Sequence, residues 1–181
     1  TVIFDEAHQL PETASLFFGE NISTSQLLDL ARDTRIEAAA GAKDFAPLPK
    51  ATDELDKAAR DLRLVFKKEG RLPAIALENF RDWQPALKTL NEKLAQLNGL
   101  LEKQAERSEG LENCWQRGQA LAQQLKQWSE ERDGFVHWLE VFHHSLQLNA
   151  TPLSIAEIFE KQIGGSARSW IFTSATLAVK Q

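Results

Sequence analysis

Two acidic residues, Asp5 and Glu6, follow directly on the apolar run Val2-Ile3-Phe4, and Ala7 and His8 complete a tetrad. A short run of β-branched and aromatic residues that stops abruptly at polar ones is the pattern of a strand buried in a parallel sheet, with functional groups at its carboxyl end. At such a place one carboxylate, Asp5, can hold the Mg²⁺ of a bound nucleotide, and the next, Glu6, can orient or deprotonate the attacking water. That is a Walker B arrangement. The same carboxylates could instead cap the helix that follows, but the complete tetrad behind its own strand favours the nucleotide site. A second run, Ser169-Trp170-Ile171-Phe172, ends in Thr173-Ser174-Ala175-Thr176 and has the same form. Both ends of the chain are expected to be strands of one sheet.

Other chemistry is more local. Lys57, Arg60, Lys67, Lys68 and Arg71 recur at intervals that gather them on one side of a helix, with Arg63 at the edge. Such a stripe could pair with the phosphates of single-stranded DNA, or be a solvated face paired to Asp53, Glu54, Asp56 and Asp61. Trp115 and Trp128 could stack bases, although aromatics at helical spacing are more often packing. Cys114 lies among leucines at helical spacing and is expected to be a core residue. His143-His144 has no spaced ligand partners and suits a polar turn better than a metal.

The elements that must position these groups are mostly helical. Leu10 to Phe18 is expected to be a short helix, and Asn21 to Thr24 can cap another from about Ser25 to Ala40, burying Leu27, Leu28, Leu30, Ala31 and Ile36. Ala42 to Ala51, with Pro47 and Pro49, has the composition of a loop. Thr52 then caps a helix to about Lys68 with Leu55, Ala59, Leu62, Val65 and Phe66 on its apolar side. Gly70 and Pro73 break the chain before a short helical stretch from Ala74 to Trp83. From Pro85, the leucines Leu87, Leu90, Leu94, Leu97 and Leu101 form a heptad seam, and Leu111, Cys114, Gly118, Leu121, Leu125 and Trp128 repeat it after a polar break. Two such helices, each roughly 30 Å long, predict an antiparallel hairpin that projects as an arm. After Gly134 the period falls to two, which predicts a β-hairpin turning near His143-His144. A helix capped by Ser154 and ended by Gly164-Gly165 precedes the last strand.

The fold class expected is therefore mainly α with a small β part. Residues 1–18 and 135–181 are expected to belong to an α/β motor domain, and 19–134 to a helical insertion. At 181 residues and 43% hydrophobic, the chain can bury a real core. No run approaches the roughly 20 apolar residues of a membrane span, and a single Cys fits a reducing cytoplasm. A net charge of −5 does not advertise nucleic-acid binding, so any DNA contact must be local. Opening inside a strand, with no Met, the chain is expected to be a piece of a longer protein.

Asp5-Glu6-Ala7-His8 resembles motif II of superfamily 2 helicases, and Ser174-Ala175-Thr176 resembles their motif III. The long helical stretch between them is similar to the Arch domain of the XPD/DinG-type iron-sulfur DNA helicases, the wording around both motifs being nearest the bacterial DinG-like members. That resemblance implies an ATP-dependent DNA helicase of the bacterial cytosol and nucleoid acting in repair or replication, with ATP and Mg²⁺ as cofactors. It implies that Ser174 and Thr176 relay between the nucleotide and DNA sides, with His8 as their contact. It also implies single-stranded or forked DNA as partner, and a 4Fe-4S cluster whose ligands lie outside this chain. These residues alone are expected to be inactive, for they contain no glycine-rich phosphate loop with its Lys and Ser or Thr. Two other classes compete. The helices could be a docking platform for a replication or repair protein, which an exposed Leu100 would favour, or a plain helical interaction module. Two motifs in order, each behind its own strand, argue against coincidence.

Overall fold

The computed structural model describes residues 1–6, 19–130, 132–153 and 169–174. Among them the elements run β1 (Val2–Phe4), β2 (Glu20–Ser23), α1 (Thr24–Gly41), α2 (Pro47–Leu64), β3 (Gly70–Pro73), a 3₁₀ turn (Ala74–Asn79), α3 (Trp83–Glu102), a second 3₁₀ turn (Ala105–Arg107), α4 (Glu109–Ser129), β4 (Phe135–Val141), β5 (Leu146–Pro152) and β6 (Trp170–Phe172). This is mainly α with a small β part. The helices expected over Leu10 to Phe18 and after Ser154 lie outside the described residues.

The chain divides into two compact units, one of Asn21–Glu131 with His137–Asn149, the other of Thr1–Glu20, Arg132–Val136 and Ala150–Gln181. The division falls inside the β-hairpin rather than at its start.

In the larger unit, α1 starts on a capping box. The Ser23 hydroxyl accepts from the Gln26 amide at 3.3 Å, and the Gln26 side chain accepts from the Ser23 amide at 2.8 Å. Leu27, Leu30, Ala31, Thr34 and Ala38 form its buried side. Ile36, expected there, is exposed instead.

The second helix corrects the sequence reading at both ends. It begins at Pro47, not Thr52, because prolines in the first turn surrender only amides that a helix start leaves unused. Thr52 is not its cap; the hydroxyl donates to the Pro49 carbonyl at 2.7 Å inside the first turn. The helix stops at Leu64, short of Lys68. Beyond it Phe66 turns into the core, 4.9 Å from Phe80 and 5.7 Å from Trp83 between ring centroids, and Arg63 donates to the Phe66 carbonyl at 2.7 Å.

The heptad seam is buried throughout: Leu87, Leu90, Leu94, Leu97 and Leu101 on α3, and Leu111, Cys114, Gly118, Leu121, Leu125 and Trp128 on α4. It does not make a projecting arm. α1 packs on α2, α2 on α3, α3 on α4, and α4 back on α1, so the hairpin is half of a closed four-helix bundle. Ion pairs stitch three of the four helix contacts: Arg35 with Asp53, Lys93 with Glu54 at 2.9 Å, and Arg117 with Asp33 at 2.7 Å. Across the fourth, buried Asn98 donates to the Gly118 carbonyl at 2.9 Å.

A sheet of order β2-β5-β4-β3 completes the β part. β3, where only a chain break was expected, is an antiparallel edge strand with Arg71 opposite Glu140 and Leu72 opposite Leu139. The turn of the β4-β5 hairpin lies where expected, with the Phe142 amide donating to the Ser145 carbonyl at 2.9 Å across His143-His144. Trp128 is packing rather than a free stacking platform. It is buried, edge-on to Trp83, stacked on His137, and its indole N–H donates to the Asn149 carbonyl at 3.0 Å.

Candidate nucleotide corner and basic face

The smaller unit contains the two terminal strands. β1 and β6 pair in parallel, with Val2 opposite Trp170, Ile3 opposite Ile171 and Phe4 opposite Phe172. Two parallel neighbours in register bring their carboxyl ends to one corner, so the residues after Phe4 and Phe172 face each other. The Thr173 hydroxyl donates to Asp5 Oδ1 at 2.8 Å, and the Glu6 amide donates to the same oxygen at 3.0 Å. Both bonds fall on Oδ1, and no donor among the described residues reaches Oδ2. Glu6 turns at φ 51°, a left-handed conformation rare outside glycine, and its side chain is exposed. Ser174 is half-buried.

Sequence reasoning singled out Ser174 and Thr176 and missed Thr173, the residue that touches Asp5. The signal was available: once Phe4 and Phe172 are taken as register partners, Asp5 and Thr173 must follow. His8 and Thr176 lie outside the described residues.

In the same unit Glu20 and Arg132 meet, the guanidinium forking onto both carboxylate oxygens at 2.9 and 2.6 Å. The places where the chain enters and leaves the helical segment are thus clamped together, the geometry that an insertion between strands needs.

In the larger unit the basic residues do not form one stripe, because α2 ends at Leu64. Lys57 and Arg60 stay on the helix, and Arg60 is held by Asp56 through bonds of 2.6 and 3.2 Å. That hydrogen-bonded guanidinium holds the Asp56 carboxyl below its ordinary range. Lys67 and Lys68 lie in the following loop and Arg71 on β3, its Nε donating to Glu140 at 3.0 Å and its guanidinium 5.0 Å over the Trp138 ring. Lys67, Lys68 and Arg71 share a hollow of about 460 Å³ with Val65, Phe66, Leu72 and Phe80, whereas Lys57 and Arg60 do not reach it.

Cys114 is buried in the bundle, where desolvation pushes its thiol above the usual value. Leu100 is half-buried, not the exposed residue that a docking platform would show. No described helix is long and apolar enough to cross a membrane.

In sequence the chain is similar to two curated DNA helicases. It is 34% identical over 181 residues to the ATP-dependent DNA helicase YoaA of Haemophilus influenzae, and 37% identical over 180 residues to the ATP-dependent DNA helicase YoaA of Escherichia coli. Each match takes in 98% of this chain but 28% of the relative, so the chain spans little more than a quarter of the curated relatives' length. No protein-family model matches it.

Proposed function

We propose that this chain is the part of an ATP-dependent DNA helicase that runs from the nucleotide-hydrolysis carboxylates, through an Arch-type helical insertion, to the strand that couples hydrolysis to DNA. The observation that carries this is the bond from Thr173 to Asp5 across the parallel pair. Asp5 Oδ1 is occupied by two donors, which leaves Oδ2 for a hard cation, and one or two carboxylates are what Mg²⁺ takes from a protein at a nucleotide site. The residues therefore fit Mg²⁺, which when bound would neutralise phosphate charge. A 4Fe-4S cluster does not fit here. It needs four thiolate ligands, and the one cysteine is buried among helices.

Glu6 holds the attacking water by its carboxylate and takes its proton. Its left-handed backbone follows directly on β1, and its amide holds the Asp5 carboxylate. Thr173 and Asp5 move as a unit, so a change at the nucleotide shifts the end of β6 and with it Ser174. His8 and Thr176 extend that relay. Ile3 and Ile171 are 65% and 45% exposed on a pair of strands too small to be stable alone, which supports a larger sheet and its covering helices in the full protein. DNA, single-stranded or forked, passes along the insertion.

The test is ATP hydrolysis by the full-length protein carrying Glu6→Gln. The proposal requires that turnover be lost while ATP binding persists; undiminished turnover would remove Glu6 from the chemistry.

A further inference from the structure

We propose that the hollow between the end of α2 and the edge strand β3 takes one unstacked nucleotide of single-stranded DNA, its base on Phe80 and its flanking phosphates on Lys67 and Lys68. This rests on the helicase reading and locates a contact that the reading leaves open. The hollow is about 460 Å³, within the ~300–1,000 Å³ of small-ligand sites. Its apolar lining is Val65, Phe66, Leu72 and Phe80, with Phe66 buried and Phe80 half-buried. Its rim is basic: Lys67, Lys68 and Arg71 against a single acid, Glu69.

The cations are not equivalent. Arg71 is already paired with Glu140 and laid over Trp138, so it is a fixed wall. Lys67 and Lys68 are exposed and form no ion pair among the described residues, which leaves their charge for phosphate. An aromatic lining with exposed ammonium groups beside it is the combination that holds a single strand without reading sequence.

A neighbouring hollow, of about 380 Å³, shares Val65 but is rimmed by Asp61 and Asp82. Its sign repels phosphate, so the strand is confined to the Lys67 side.

The experiment measures binding of an oligothymidylate across a salt series by the full-length protein. One variant is Lys67→Glu/Lys68→Glu, which touches no core residue. Another is Phe80→Leu, assayed on a normal strand and on the same strand with abasic sites. The lysine variant is expected to flatten the dependence of log affinity on log salt by about 1.4, two phosphates at ~0.7 each. The Phe80 variant is expected to weaken normal-strand binding about tenfold or more and to leave the abasic strand unchanged. An unaltered salt slope, or equal losses on both strands, would overturn the proposal, including in favour of an acidic protein partner in the hollow. Glu6-dependent hydrolysis in these same variants separates that outcome from failure of the helicase reading, which would show as hydrolysis indifferent to Glu6.

Discussion

Gly118 is where the bundle leaves least room, and Gly118→Ala is a sharp test of its packing. A methyl there would collide with Asn98 Oδ1 and lie 3.1 Å from Asn98 Cγ and 3.5 Å from Leu30 Cδ2. Asn98 cannot swing away freely. It is 6% exposed, its amide is bonded to the Gly118 carbonyl at 2.9 Å, and its Oδ1 has no partner among the described residues. Replacing glycine in a helix ordinarily gains about 1 kcal/mol. Against that, the displaced Asn98 loses its buried hydrogen bond and leaves its amide unpaired, at a cost of about 1–3 kcal/mol. The variant should therefore be less stable by up to roughly 2 kcal/mol, or a few degrees in Tm for a chain of this length. Denaturant melts followed by helical circular dichroism would measure it. Adding Asn98→Ala removes both the obstacle and the stranded amide, so the double variant should recover most of the loss, a coupling that a mutant cycle reads directly. If Gly118→Ala is stabilising, or the second change rescues nothing, the Asn98–Gly118 contact does not set the spacing of α3 and α4.

Two further outcomes follow from other parts of the chain. The Arg117 side chain, hydrogen-bonded to Asp33, holds that carboxyl below its ordinary value. A depressed folded pKa gives stability that is present above the unfolded value of about 3.9 and is lost as pH falls through the folded one. The melting temperature should thus fall on acidification below about pH 4, and Asp33→Asn should shrink that fall while lowering stability at neutral pH by about 1 kcal/mol or less, the pair being partly exposed. The 181 residues by themselves should turn over no ATP, because the phosphate-binding loop is missing from the sequence; hydrolysis by them that Glu6→Gln abolishes would defeat this.

The heptad leucines were legible because their spacing and their burial have one cause, and every seam position is inside. What spacing could not say is whether two such helices stand alone or close a bundle, since that depends on α1 and α2 offering a second apolar side. Pro47 and Pro49 looked like breakers because the same missing amide is harmful inside a helix and harmless at its start. The basic stripe was over-extended for a related reason: Lys67 and Lys68 keep the helical rhythm, but Phe66 is drawn to Phe80 and Trp83, a contact no local pattern records. β3 is four residues long and its partner Glu140 is far along the chain from Arg71, so nothing near it in sequence announces a strand. At the corner where β1 meets β6, the strands and the acid pair were plain from the order of apolar and polar residues, while Thr173 required the register.

The most direct test of the central claim compares full-length Thr173→Val and Glu6→Gln with the parent in ATP turnover, with and without single-stranded DNA. Valine keeps the β-branched shape and deletes only the hydroxyl on Asp5, and glutamine keeps the side chain's length and deletes only its charge. Loss of turnover in Glu6→Gln, with Thr173→Val losing chiefly the stimulation by DNA, is the predicted result. Full DNA-stimulated turnover in both would contradict it, and the corner where β1 meets β6 would then be only a place where two strands end.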